Sequence, residues 1–214
     1  MGPVRLILAS QSPARLETLR RAGVEPEVIV SGVDEGTVPA RPAADLALEL
    51  ARRKATAAAD RTPRRDAVEV LIGCDSVLEL AGQTHGKPAD ADEAVRRWLT
   101  MSGRTGVLHT GHHVIRRDPD GVREVGRTGS TTVHFAEVSR AEIEAYVATG
   151  EPLAVAGAFT IDGLGGAFVT GIEGDHHNVV GLSLPLLRDL LGTLGVAWPD
   201  LWAVGSPEDG TVPR

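Results

Sequence analysis

An aspartate inside an apolar run is the residue of this chain most plainly placed for chemistry. Residues 70–80, VLIGCDSVLEL, have the aliphatic character of a buried strand, and Asp75 stands among them. Burying a carboxylate is costly, so Asp75 is either paired or has a task near the strand's end. After a Gly-containing turn the same stretch reaches Lys87, fixed between Gly86 and Pro88. Lysine is scarce: of 22 basic residues 20 are arginine, and only Lys54 and Lys87 are lysine. Asn178 and Tyr146 are likewise the sole residues of their types. A chain that has replaced lysine wherever a guanidinium serves keeps it where a compact ammonium is needed, with chance as the competing reading. Ser10-Gln11-Ser12-Pro13 supplies an N-cap serine and a proline suited to a first helical turn. The free N–H groups there favour an anion, and Arg15 beside them opposes the helix dipole unless something negative is bound; a tolerated, exposed arginine is the alternative. The adjacent carboxylates Asp34 and Glu35 lie in a loop, where they are merely solvated unless a divalent ion shares them with phosphates. One acid on a strand, two singular lysines, an arginine at a helix start and an acidic loop suit phosphoryl chemistry. The carboxylate would take a proton from water, and a divalent ion with the cations would hold a polyphosphate. Spacing alone does not rank this above other anion-binding enzymes.

Composition narrows the alternatives. With 214 residues, 42% hydrophobic and 24% charged, the chain is of the globular class and long enough for one domain with a sizeable core. A net charge of −7 with interspersed signs gives no basic stripe for duplex nucleic acid, and 3% aromatic residues leave few stacking platforms for single strands. No stable nucleic-acid binding is therefore expected. Cys74 is the only cysteine, which excludes an internal disulfide and fits a reducing compartment. No apolar run has the length of a membrane span or a signal segment, so a soluble cytoplasmic protein is expected.

Several local patterns fail on spacing. Gly82 to Lys87 resembles a phosphate-binding loop but has too few intervening residues and a proline where the metal-binding hydroxyl belongs. The glycines at 163–166 do not match the dinucleotide fingerprint, since Phe168 takes the third glycine's place. Cys74 alternates with Asp75, so the two point to opposite faces and burial is the better reading of the thiol. His109 and His113 can share a strand face, yet no ligand set of known spacing accompanies them, and no nucleophile elbow is present.

The elements that must position these residues follow from periodicity. Strands are expected at 4–9, 27–30, 70–80, 105–116, 122–135 and 167–172, the Asp118-Pro119-Asp120-Gly121 turn joining two of them as a hairpin. Helices are expected at 13–22, at 43–61 with an alanine stripe and Lys54 near its buried side, from Asp90 to Gly103, after Ser139 with Glu142 as capping-box partner, and at 184–191. Residues 174–181 read as a loop. Residues 1–198 are expected to form a single α/β domain, and 199–214 a C-terminal extension that is partly disordered.

Taken together, Ser10-Gln11-Ser12-Pro13-Ala14-Arg15, Val33-Asp34-Glu35, Ala51-Arg52-Arg53-Lys54-Ala55, Gly73-Cys74-Asp75-Ser76, Gly86-Lys87-Pro88 and Asn178-Val179-Val180-Gly181-Leu182 resemble the Maf family in order and spacing. Ala156-Gly157-Ala158-Phe159 and Gly163-Leu164-Gly165-Gly166 extend the resemblance to about residues 4–192. It implies an α/β fold: a mixed twisted sheet with flanking helices, in two lobes around a deep cleft, related to the inosine triphosphatases. It also implies a nucleoside triphosphate pyrophosphatase that uses a divalent cation, Mg²⁺ or Mn²⁺, cleaves between the α and β phosphates in nucleotide house-cleaning, and admits a homodimer. Carried over by position, Asp75 is the general base, Lys54 and Lys87 hold phosphates, Ser10, Ser12 and Arg15 cradle the triphosphate, and Glu35 assists the metal. Ser76 and Asp162 fall at substrate-binding positions where relatives commonly carry other residues, which leaves the preferred base open. The family was named for septum formation, so a cell-division regulator that binds a partner without turnover is the alternative; intact Asp75, Lys54 and Lys87 favour the enzyme.

Overall fold

The aliphatic runs of the sequence line up as one seven-stranded sheet, and its alanine-rich and leucine-rich segments cover the two faces. The structure, a computed structural model, describes residues 4–39 and 41–202, with the backbone alone at Glu35. In chain order the strands are β1 (Arg5–Ala9), β2 (Glu27–Val28), β3 (Glu69–Leu80), β4 (Gln83–His85), β5 (Thr105–Asp118), β6 (Gly121–Phe135) and β7 (Val169–Glu173). The helices are α1 (Pro13–Arg21), α2 (Ala43–Arg61), α3 (Ala91–Met101), α4 (Arg140–Ala148), α5 (His176–Val180) and α6 (Leu184–Thr193). Sheet order is β2-β1-β3-β5-β6-β7, with β4 paired to the far end of β3. β1 runs parallel to β2 and β3, and the other pairings are antiparallel, as the hairpin reading of the 118–121 turn requires.

One face of β3 and β5 is covered by α2. Ala47, Ala51, Ala55 and Ala58 on that helix are fully buried, and small side chains are needed there because the backbones nearly touch. A Cβ added at Gly73 would fall 2.1 Å from the Ala51 carbonyl oxygen, and one at Gly111 would fall 2.2 Å from that of Ala47. Only glycine permits this approach.

The opposite face carries two apolar clusters at different levels of β3. Val70, Ile72 and Cys74 join Leu6, Leu8 and the leucines of α6 in an aliphatic cluster. Leu78 and Leu80 join an aromatic one, in which Trp98 meets Phe135, Tyr146 and Phe168 edge to face at centroid distances of 5.8, 5.6 and 5.6 Å. Between the two clusters β3 presents Ser76, level with Thr110 of β5. A polar belt thus separates two greasy lobes.

Some expected boundaries move. The stretch 174–181 forms the short helix α5, capped by Asp175, whose Oδ1 accepts from the His177 amide, and closed by Gly181. The segment Leu164–Phe168 is a 3₁₀ turn, so β7 begins later than the sequence pattern predicts. Residues 199–202, assigned by sequence to the extension, pack: Leu201 is in the aliphatic cluster, and Trp202 bridges to Val24. Residues 203–214 lie outside the described residues.

Candidate active site

The sheet has a gap. β1 leaves β3 after the Ala9–Gly73 pair, and β4 joins β3 only at Leu78, so residues 74–77 have a strand partner on the β5 side alone. Continuing the parallel register of β1 carries Ser10 and Ser12 toward Cys74 and Ser76. Continuing the antiparallel register of β4 carries Lys87 back toward the same residues. The hydroxyl-rich loop meets the unpaired edge through Arg15, which bonds both Ser10 and Ser76, and the Gly86-Lys87-Pro88 segment follows directly on β4, whose pairing with β3 ends at Leu78–His85. Because successive strand residues alternate, Asp75 faces α2 while Ser76 faces the polar belt.

On the α2 side the Lys54 ammonium lies 2.5 Å from Asp75 Oδ1, with side-chain exposures of 13% and 9%. The helix reaches Asp75 because Gly73 and Gly111 let it settle on the sheet, so the alanine stripe is what sets this contact. The acidic loop is tied to the same helix: Arg53 Nη1 donates to Thr37 Oγ1 at 3.0 Å, within the turn Glu35–Thr37. The Asp34 carboxylate accepts from the Gly36 amide, and the Glu35 side chain lies outside the described residues. Among the described residues no three His, Cys, Asp or Glu side chains are gathered so as to hold a metal ion. An acidic loop roped to the helix of Lys54 suits an ion carried mainly by a ligand's phosphates rather than caged by protein.

On the other side Arg15 is buried, and each of its three guanidinium nitrogens donates one hydrogen bond, which leaves a further N–H on each terminal nitrogen. Its Nε donates to the Gly181 carbonyl at 2.7 Å, Nη1 to Ser10 Oγ at 3.3 Å and Nη2 to Ser76 Oγ at 3.1 Å. Ser12 caps α1 by accepting from the Arg15 amide, and the Ser12 amide donates to Ser10 Oγ. Gly181 holds φ +119°, and a Cβ there would press on Arg15 Nε at 3.2 Å, so this glycine serves both the turn and the arginine. The sequence places Arg15 at a helix N-terminus; the structure shows that it is no exposed, tolerated charge.

Lys87 is exposed, but its backbone is fixed. The Gly86 carbonyl accepts from the Gly157 amide at 3.0 Å and from Arg97 Nη1 at 2.6 Å, and Pro88 is buried. Asp162 stands apart from the gap, exposed on a groove of about 610 Å³ whose walls include Pro13 and Ala14 of α1 and His176 and His177 of α5. Helix α1 lines this groove and also carries Arg15, whose partner Gly181 caps the α5 helix on the groove's other wall. The loop bearing Asp162 is held by Glu151, whose carboxylate accepts from Tyr146, Thr160, Leu164 and Gly165. Burial works against that carboxylate's charge, and the bonds from Thr160 and the two amides outweigh it, leaving Glu151 below the usual range.

Tyr146 and Asn178, each the sole residue of its type, are both buried hydrogen-bond nodes, a role their scarcity signals but does not specify. Thr110, Glu151 and Arg97 carry no such mark in the sequence. Cys74 is fully buried and desolvation pushes its thiol up to about 11, which removes it as a nucleophile. His109 and His113 do face α2 together, each bonded to a carboxylate, Glu79 and Glu124 respectively.

Comparison with known proteins identifies the family of the chain. The family described as Maf-like protein matches residues 5–194. The nucleoside triphosphate pyrophosphatase of Salinispora tropica is 57% identical, over 98% of this chain and 93% of its own length. That of Streptomyces coelicolor is 58% identical, over 93% and 95%, and that of Mycobacterium marinum 47%, over 93% and 97%. Among solved structures, the Staphylococcus aureus Ham1 protein overlaps 62% of this chain and 72% of its own at 14% identity and a TM-score of 0.36, too slight a likeness to carry an argument. With the family pattern spanning nearly all of the described residues and relatives matching end to end, the chain belongs to the Maf family.

Proposed function

We propose that this chain hydrolyses nucleoside triphosphates between the α and β phosphates, giving a nucleoside monophosphate and pyrophosphate. The observation that carries the reading is the sheet gap at residues 74–77, where Asp75 and Lys54 lie on one face and Arg15, bonded to Ser10 and Ser76, lies on the other, with the Lys87 segment following β4 beyond the gap's edge. Such an arrangement neutralises a polyphosphate from several sides, which is most of what phosphoryl chemistry asks of a protein. The names of the relatives support the same reaction.

In this reading Ser10, Ser12 and the first turn of α1 receive phosphate oxygens with Arg15, and Lys87 closes on the chain from the opposite rim. Lys54 turns from Asp75 toward the substrate, and Asp75 then accepts a proton from the attacking water. The water oxygen bonds to the α phosphorus, the bridging P–O bond to the β phosphate breaks, and its electron pair leaves with the pyrophosphate. A divalent cation, Mg²⁺ or Mn²⁺, would be held by Glu35 and the substrate, and when bound it supplies charge neutralisation at the phosphates. Asp162, on the α1 groove, is assigned to base recognition. Residues 1–198 act as a single catalytic domain. Among the described residues no helix is long and apolar enough to cross a membrane.

Pyrophosphate release from a panel of normal and modified nucleoside triphosphates, with Mg²⁺ or Mn²⁺, tests the proposal on the wild type and Asp75→Asn. Release that depends on Asp75 is expected, and the panel identifies the base. No release from any triphosphate would overturn the reading and favour a binding role in cell division.

A further inference from the structure

Thr110 is wholly buried in the polar belt and takes no part in the chemistry proposed above. Its hydroxyl has a single hydrogen, and the structure shows where that hydrogen goes. Thr110 Oγ1 lies 2.9 Å from the Asn178 carbonyl oxygen, which can only accept. Ser76 Oγ lies 2.9 Å from Thr110 Oγ1, so Ser76 must donate in that contact. The Ser76 oxygen is then left as the acceptor for Arg15 Nη2 at 3.1 Å, and a guanidinium can only donate. Hydrogens therefore point one way along the whole series, from Arg15 through Ser76 and Thr110 to Asn178.

Both ends of the series rest on one element. Arg15 Nε donates to Gly181 O, Thr110 donates to Asn178 O, and these two carbonyls belong to the C-terminal turn of α5 and its cap. Asn178 in turn is pinned to the sheet by its amide, which donates to Leu108 O and Thr131 Oγ1 at 3.1 Å each. The guanidinium is thus referenced to the sheet twice. If the Thr110 hydroxyl were lost, the Ser76 hydrogen would be free to turn, and nothing would keep a lone pair aimed at Arg15.

We propose that Thr110 is a positioning residue: acting through Ser76, it fixes the Arg15 guanidinium in the orientation that receives the anionic substrate, and Ser76 serves Arg15 rather than the substrate itself. This rests on the polyphosphate reading of the site. Because Arg15 holds the substrate before and during reaction alike, its misorientation raises KM more than it lowers kcat.

The test measures pyrophosphate release, on the triphosphate that the wild type hydrolyses best, for Thr110→Val, Thr110→Ser, Ser76→Ala and the Thr110→Val/Ser76→Ala double variant. Thr110→Val should raise KM about tenfold and leave kcat within about twofold. Thr110→Ser, which keeps the hydroxyl, should return KM to within about twofold of wild type, and Thr110→Val should add nothing in the Ser76→Ala background. A wild-type KM in Thr110→Val, a Thr110→Ser chain as impaired as Thr110→Val, or additive effects in the double variant would each overturn the proposal. If Thr110→Val does not fold, the cycle is run between Ser76→Ala and Arg15→Lys, and additivity there has the same force. Active wild type with an unaffected Thr110→Val refutes the relay alone; inactive wild type refutes the function beneath it and the relay with it.

Discussion

Strand β3 carries two buried acids on the face that α2 covers, Glu69 at its start and Asp75 further along, and they are held differently. Glu69 is fully buried between strands on both sides, with Arg5 Nη1 at 2.5 Å from one carboxylate oxygen and Arg117 Nη2 at 2.9 Å from the other. Arg117 continues to the Ala59 and Thr62 carbonyls, so this pair fastens β1, β3, β5 and the end of α2 together. Asp75 lies where β3 has a partner on one side only, and the cation beside it is a lysine. A guanidinium forks onto a carboxylate and stays; an ammonium on a flexible stem can be drawn to another anion. Burial of an acid in a strand is therefore not by itself a mark of function. What separates the two is the open edge and the type of partner.

Removing each acid should break the comparison apart. Asp75→Asn is expected to lower the rate of pyrophosphate release roughly 10³-fold, about 4 kcal/mol of transition-state stabilisation, because a general base is lost. Its stability should change by no more than about 1 kcal/mol, since Lys54 at the open edge can swing its ammonium on a flexible stem toward water, which the interlocked arginines around Glu69 cannot do. Glu69→Gln is expected to do the reverse. Arg117 loses the carboxylate paired with it while Arg5 keeps Glu27, unfolding free energy falls by about 3 kcal/mol, and activity per folded molecule is retained. Urea unfolding with an unchanged m-value reads the second effect. Equal loss of activity in both variants would mean that Glu69 supports the site rather than the fold.

Glu69 also shows where sequence reading stops. The strand was legible from its apolar run at 70–80, but its first residue falls outside that run, because the arginines that allow its burial are remote in sequence. Asp75, Lys54, Lys87 and Arg15 stand out in the sequence because composition and local pattern mark them, and the fold brings Lys54 to Asp75 and Arg15 to Ser10 and Ser76. Helix α2 falls at its expected bounds, since its alanine stripe is long and strictly periodic. Helix α5 was not legible: five residues between glycines give too short a period, and its carbonyls matter more to the site than its side chains. Thr110 and Gly181 enter through backbone contacts that only the fold brings together.

His112 extends the comparison to a buried group held in its neutral form, on the opposite face. Its Nδ1–H donates to the Thr110 carbonyl at 3.0 Å, and its Nε2 accepts from the Ser183 amide at 2.8 Å, which fixes the neutral tautomer. Burial pushes the imidazole down to about 4, against the opposing pull of the Thr110 bond and with help from the Arg15 charge. The unfolded imidazole protonates near pH 6.5, well before the folded one. Its contribution to stability is therefore complete above about pH 6.5 and declines as pH falls, until the folded imidazole also protonates near 4. The slope approaches about 1.4 kcal/mol per pH unit inside that window, for a loss of roughly 2–3 kcal/mol. Urea midpoints from pH 7 to about 5, a range in which unfolded carboxylates remain mostly ionised, should show this decline in the wild type and a smaller one in His112→Gln. Parallel curves for the two chains would mean that other groups govern the acid limb.

The choice between ammonium and guanidinium is best isolated at Lys87, because its side chain is exposed and its backbone is held independently through Gly86 and Pro88. Lys87→Arg keeps the charge and disturbs no packing, so stability should stay within about 0.5 kcal/mol of wild type. If the rarity of lysine marks positions where a compact point charge must reach a phosphate, the broader, forked guanidinium should misplace its charge and cost about tenfold in kcat/KM. A variant as active as wild type would show that charge alone suffices on the rim of the gap. The contrast between Glu69 and Asp75 would then rest on the open strand edge, and not on which cation stands beside the acid.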